Sequence, residues 1–258
     1  MLVLGALGRM GERVRAALAE DAELRLGAAV EAPDHPGQGR ELEDGVRVGD
    51  DAKGALPGCE LAIAFASPEA TLALLREAAD AGVPCVVGTT GFDDAARQEI
   101  AALAERTPLL LAANFSVAVN VLFHLARRAA ELLGPGFDAE IVELHHGAKV
   151  DAPSGTALRL GQAVAEGRGE SLEGRAVLAR EGHTGPRPEG AIGIQTLRGG
   201  DNPGEHTLYF VGRGERLELV HRSATRDHFA RGAVRAARWL RGRAPGLYDM
   251  EQVLGLRD

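Results

Sequence analysis

The sequence predicts an α/β protein in two parts, a doubly wound parallel-sheet domain followed by an α+β domain with a mixed sheet. Three observations lead there. Short, wholly apolar runs alternate with helical patterns up to about residue 112. A glycine-rich turn follows the first of those runs. After Asn114 the rhythm changes to one long helical pattern and then strand-like runs of alternating character.

Taken in order, the first strands are Leu2–Leu4, Leu26–Val30, Leu61–Phe65, Cys85–Val87 and Leu109–Ala112. Between them the spans Glu12–Ala19, Pro68–Ala81 and Asp93–Glu105 repeat apolar residues at three- and four-residue intervals, the signature of a helix with one buried face. Leu42–Val48 reads equally as a small strand or a loop. A helix over Val117–Leu133 is stopped by Gly134-Pro135-Gly136. Strands follow at Ala139–Leu144, Ile192–Leu197, Glu205–Val211 and Arg216–Val220, the last two joined by a hairpin turn at Gly212–Gly214. Gly182–Gly193 is a long Gly/Pro-rich connection, and Asp227–Arg241 a final helix expected to return to the first domain. The expected domains are 1–115 for a dinucleotide, 116–225 for substrate and oligomerisation, and 226–258 as the helical return.

Composition narrows the function. With 29 basic against 37 acidic residues the chain is acidic, so it has no general attraction to nucleic acid. The opening residues carry no basic leader and no long apolar run, so a soluble cytoplasmic protein with no membrane association is expected. Cys59 and Cys85 are too few for a disulfide framework and read as buried thiols.

Gly5-Ala6-Leu7-Gly8-Arg9-Met10-Gly11 leads from the first strand into a helix. Such a turn bends tightly at its first glycine, admits a pyrophosphate at its second and packs helix on sheet at its third. Glu31, at the end of the second strand, is placed to hold ribose hydroxyls. Together these make a Rossmann-like dinucleotide site. Ala32 follows Glu31, and the next basic residue is Arg40, which favours NADH over NADPH. Further strand-end loops carry Ser67, Gly88-Thr89-Thr90-Gly91 and Ala112-Ala113-Asn114-Phe115. There the threonine hydroxyls would meet a nicotinamide ribose or amide, and the Phe115 ring would pack on the nicotinamide.

The segment Glu143–Ala157 concentrates the remaining chemistry. Lys149 is one of two lysines in a chain that otherwise uses arginine. An ammonium is a compact donor whose pKa burial can lower, unlike a guanidinium. Strand alternation puts Glu143 and His145 on one face, Leu144 and His146 on the other. Ser154 is a plausible N-cap, and Gly155 and Thr156 would offer first-turn amides to a carboxylate. A histidine beside them can move a proton near neutral pH. No metal is expected, because adjacent strand residues diverge and no cysteine or third histidine is spaced to help.

With these motifs in hand, the chain closely resembles the 4-hydroxy-tetrahydrodipicolinate reductase (dihydrodipicolinate reductase) family over essentially its whole length. The resemblance rests on Gly5–Gly11, Gly88–Phe92, Ala113–Ser116, Glu143–Thr156, Arg180–Gly185 and Gly204-Glu205-His206. It implies reduction of a cyclic unsaturated dicarboxylate by NADH or NADPH, with loss of water, in diaminopimelate and lysine biosynthesis. It also implies a proton donor/acceptor at His145, a proton donor at Lys149, substrate contacts at His146, Gly155 and Thr156, and a homotetramer. Two departures stand out. Only Met1–Leu4 precede Gly5, so the first strand is expected to be weakly anchored or the natural start to lie upstream. Ala32 replaces a frequent basic residue. The competing readings are another dehydrogenase of a small amino or keto acid, such as an aspartate dehydrogenase, and a nicotinamide-binding sensor without catalysis.

Overall fold

A computed structural model describes residues 1–42 and 45–257. The chain divides into two compact units, Met1–Val117 with Asp227–Asp258, and Ala118–Arg226.

The first unit holds seven parallel strands: β1 (Leu2–Leu4), β2 (Ala28–Val30), β3 (Val48–Gly49), β4 (Ala62–Ala64), β5 (Cys85–Val87), β6 (Pro108–Leu111) and β12 (Gly246–Tyr248). Their order across the sheet is β12-β6-β5-β4-β1-β2-β3. Successive side chains of a strand point to opposite faces, and here both faces are dry. Val3, Ala29, Ile63, Val86 and Leu110 join one core with residues of α1 (Arg9–Ala19) and α7 (Asp227–Leu240). Leu2, Leu4, Ala62, Ala64, Cys85 and Val87 join another with α3 (Pro68–Ala81) and α4 (Asp94–Ala104). This is the doubly wound sheet that the apolar runs predict. The weak anchoring expected of the first strand is not seen: β1 is paired with both β2 and β4 and is almost wholly buried. Each apolar side chain buried to this degree is worth about 1.5–3 kcal/mol.

Short elements escaped the periodicity: α2 (Ala52–Ala55), α8 (Met250–Val253), β3 and β12. Of the Leu42–Val48 segment, residues 43 and 44 lie outside the described residues, Glu41 bridges Arg47, and β3 starts at Val48. α3 keeps its expected bounds because Ser67 caps it, Pro68 occupies its first position and Gly82 turns left-handed after it.

The second unit is a five-stranded mixed sheet, ordered β11-β10-β7-β9-β8, with α5 (Val117–Leu133) and α6 (Gly155–Gly167). Its strands are β7 (Asp138–His145), β8 (Ala176–Val177), β9 (Ile192–Arg198), β10 (Glu205–Val211) and β11 (Arg216–Arg222). β7 and β9 are parallel, whereas β10 is antiparallel to both β7 and β11. Ala139, Ile141, Ile192, Ile194, Leu208 and Phe210 pack with the helices in one core. Register places Glu143 between Thr196 and His206, with His221 beyond, so one rung of this inward face is polar. The long connection before β9 is held by Arg180 and Arg187, which both bond Glu140 of β7. No helix among the described residues is long and apolar enough to cross a membrane.

Candidate active site

In the first unit the glycines are dictated by contact. A Cβ on Gly11 would lie 2.0 Å from the Gly5 carbonyl oxygen, so α1 starts flush against the strand-end turn. Gly5 itself has φ +78°, and a Cβ there would lie 2.4 Å from the Phe65 carbonyl oxygen. Glu31 accepts the Leu7 amide at 2.6 Å, tying the acidic residue to the turn. A cavity of about 470 Å³ opens here, bounded in part by Gly5, Gly8, Glu31, Ala32 and Phe65. Its described lining includes Glu31, Asp50 and Glu77 and no lysine or arginine.

The neighbouring loops behave differently from one another. At Gly88 a Cβ would lie 2.0 Å from the Phe65 ring, so any larger residue there would have to displace that ring. The Thr89 hydroxyl, expected to face a cofactor, is buried and bonded to Thr71 and Ala66, so it braces two loops instead. Thr90 is exposed. Phe115, expected to pack on a nicotinamide, is 2% exposed and meets Phe65 edge-on at 5.8 Å between ring centroids. Its ring belongs to the core because the chain turns inward after Asn114, whose side chain accepts the Ser116 amide. Ala112 bonds β5 through Val87, and Ala113, Arg9 and Gly8 are exposed.

In the second unit the polar residues form one connected network. Glu143 and His145 do share a face: the His145 Nδ1 lies 2.5 Å from Glu143 Oε2. Glu143 Oε1 accepts the Ser154 amide at 3.0 Å and the Thr196 hydroxyl at 3.1 Å. Arg198 donates to both carboxylate oxygens, at 2.8 and 2.9 Å, and also to the Asp151 carbonyl at 2.7 Å. The Asp151 side chain holds the Lys149 ammonium at 2.8 and 2.9 Å. Ser154 caps α6 by accepting the Ala157 amide, and its hydroxyl meets His206 Nε2 at 3.1 Å. Gly155 and Thr156 therefore begin a helix whose first-turn amides face out along its axis, an environment that favours a carboxylate. β7 ends at His145, so His146 belongs to the following turn. There its amide bonds Asn202 and its Nε2 lies 3.2 Å from Arg226.

Electrostatics follow from burial and partners. Burial of Glu143 opposes its charge, but Arg198, His145 and the Ser154 amide overcome this and hold its pKa at about 2. Burial pushes His145 below its usual value, against the pull of Glu143. His206, 3% exposed and edge-on to His145 at 5.3 Å, is pushed down to about 3, chiefly by burial. The contacts of Arg198, Asp151 and Arg226 in this network carry no local sequence signal. Arg198 is legible only through its register opposite His145.

A doubly wound sheet with a cavity at its glycine-rich turn, and a buried Glu–His–Arg network beside a helix start, are the architecture of an NAD(P)H-dependent oxidoreductase of the Rossmann class. Comparison with known proteins is specific. Residues 1–115 match the model for the N-terminus of dihydrodipicolinate reductase, and residues 118–254 that for its C-terminus. The chain belongs to the dihydrodipicolinate reductase family. It is 52% identical to the 4-hydroxy-tetrahydrodipicolinate reductase of Thiobacillus denitrificans, over 99% of this chain and 98% of that protein. It is 47% identical to that of Anaeromyxobacter dehalogenans, over 100% and 98%. The fold resembles a dipicolinate-bound dihydrodipicolinate reductase from Paenisporosarcina sp. TG-14, with TM-score 0.79, 24% identity and 96% of each chain covered.

Proposed function

We propose that this chain reduces 4-hydroxy-tetrahydrodipicolinate, by way of dihydrodipicolinate, to tetrahydrodipicolinate with loss of water, in diaminopimelate and lysine biosynthesis. The observation that carries this is the single network joining Lys149, Asp151, Arg198, Glu143, His145 and Ser154. A reaction that adds hydride to an unsaturated ring needs a proton source and a grip on the ring carboxylates, and this network holds both.

Labour is divided along the chain. Residues 1–115 carry the dinucleotide, 116–225 the substrate and the oligomer contacts, and 226–258 complete the first domain. Gly5, Ala6, Leu7, Gly8, Arg9, Met10 and Gly11 cradle the pyrophosphate with backbone amides, and Glu31 takes ribose hydroxyls. Gly88, Thr89, Thr90, Ala112, Ala113, Asn114 and Phe115 form the nicotinamide side, Thr89 and Phe115 through backbone and packing rather than through hydroxyl and ring. The cofactor supplies hydride. His145 takes and returns a proton, Lys149 donates one, and His146, Ser154, Gly155 and Thr156 hold the substrate. NADH is preferred, because the acidic lining beside Ala32 repels a 2′-phosphate.

The outward face of the second unit's sheet exposes Leu197 (51%) and Val220 (43%), a surface suited to the homotetramer contacts expected of the family. The cytoplasm is the compartment where such a biosynthetic step belongs. The decisive assay couples purified protein to dihydrodipicolinate synthase and follows NADH oxidation. Turnover dependent on the synthase product is expected. Its absence, or equal turnover with small amino or keto acids, would overturn the proposal.

A further inference from the structure

We infer that Glu143 is a positioning residue whose one carboxylate sets the tautomer of His145 and the placement of the α6 amides together. The inference rests on the function proposed above and extends it to how the site is held in register.

Glu143 is fully buried and receives two bonds from Arg198 and one each from Thr196, the Ser154 amide and His145 Nδ1. An ionised carboxylate only accepts hydrogen bonds. The 2.5 Å contact therefore requires the proton on Nδ1 of His145. In the neutral imidazole the lone pair then falls on Nε2, the atom that faces Gly204. The second oxygen of the same carboxylate fixes Ser154, the residue from which α6 starts. Arg198 balances the charge and extends the hold to Asp151, the residue that pairs Lys149.

Stability alone does not account for this arrangement. Replacing a buried ion pair with well-packed apolar side chains is often neutral or stabilising. The next two rungs on this face are apolar, with Ile141 beside Ile194 and Leu208, and Ala139 beside Ile192 and Phe210. The polar rung lies instead where both His145 and the α6 start can be reached from one side chain.

Two measurements test the inference. Nitrogen-15 NMR of histidine-labelled wild-type protein should show the His145 proton on Nδ1 at neutral pH, without substrate. A proton on Nε2 would overturn the inference, and this result does not depend on any variant folding. In Glu143→Gln, kcat should fall about 100-fold, as for loss of a positioned acid–base group. KM for the dicarboxylate should rise about tenfold, as for a loosened bond to a charged group, with NADH affinity unchanged. A purely structural role would not move the tautomer signature. A change in kcat without KM, or neither changing by more than about threefold, would overturn the joint role. Failure of the wild-type enzyme to turn over the dicarboxylate would overturn the proposed function while leaving the NMR result standing.

Discussion

The Nε2 atom of His145 lies 2.8 Å from the point where a Cβ on Gly204 would stand. Only a residue without a side chain leaves that nitrogen uncovered, and φ +149° at Gly204 suits glycine as well. Gly204→Ala should lower kcat about 100-fold or more by covering the nitrogen proposed to carry the proton. Steady-state kinetics with a fluorescence titration of NADH checks this. Loss of NADH binding instead would show that the methyl acts elsewhere.

Lys149 is paired with Asp151, whose side chain is 58% exposed, and such a pair contributes about 0–1 kcal/mol to folding. Lys149→Ala should therefore melt close to wild type, keep its NADH affinity and lose most turnover, about 100-fold or more. Unchanged turnover in the coupled assay would remove Lys149 from the chemistry.

Gly11 meets backbone that cannot step aside: a methyl there would stand 2.0 Å from the Gly5 carbonyl oxygen and 2.8 Å from Ala6 backbone atoms. Overpacking of this kind costs about 1–3 kcal/mol. Gly11→Ala should lower the urea midpoint and weaken NADH binding, whereas Lys149→Ala should do neither. Urea denaturation of the two variants side by side makes the comparison.

Acid should destabilise the protein well above the carboxylate range. His206 is held at about 3 when folded, against 6.5 in its ordinary state, so between those values the unfolded chain binds a proton that the folded chain refuses. Stability therefore falls as pH drops below about 6.5, with a limiting slope of about 1.4 kcal/mol per pH unit for one proton. Glu143, lowered to about 2, adds loss of the same sign below about 4.5. His206→Gln should flatten the upper part of this slope in urea titrations between pH 7 and 5.

The proposed preference for NADH rests on charge. With Glu31, Asp50 and Glu77 in the described cavity lining and Ala32 beside them, calorimetry should give a lower dissociation constant for NADH than for NADPH. Ala32→Arg should narrow or reverse the difference by supplying a cation for the 2′-phosphate. Tighter NADPH binding by wild type would refute the charge argument.

Local chemistry was the legible part of this chain. α3 could be bounded from Ser67, Pro68 and Gly82 because capping, proline entry and a left-handed glycine act within a few residues. The same holds for the end of α5 at Gly134–Gly136. β12 was missed because Gly246–Tyr248 is too short to show a period, and it becomes a strand only by pairing with distant β6. Arg198 reaches Glu143 through the register of β7 on β9, which no local pattern encodes. Phe115 could be recognised as a loop residue, but the side to which its ring turned depended on Phe65 and on Gly232, whose missing side chain admits the Phe115 carbonyl.

The first unit is interrupted in the chain, and that has a consequence for the order in which the protein is built. Ala230, Ala233, Val234, Ala237, Leu240, Met250 and Val253 all lie in the core that β1 enters, although β1 precedes the whole second unit in the chain. A ribosome completes every strand of the second unit before it makes any of those residues. The half begun first is thus the half finished last. A transcript cut short after Arg226 encodes the whole second unit but leaves the first unit without α7, α8 and β12.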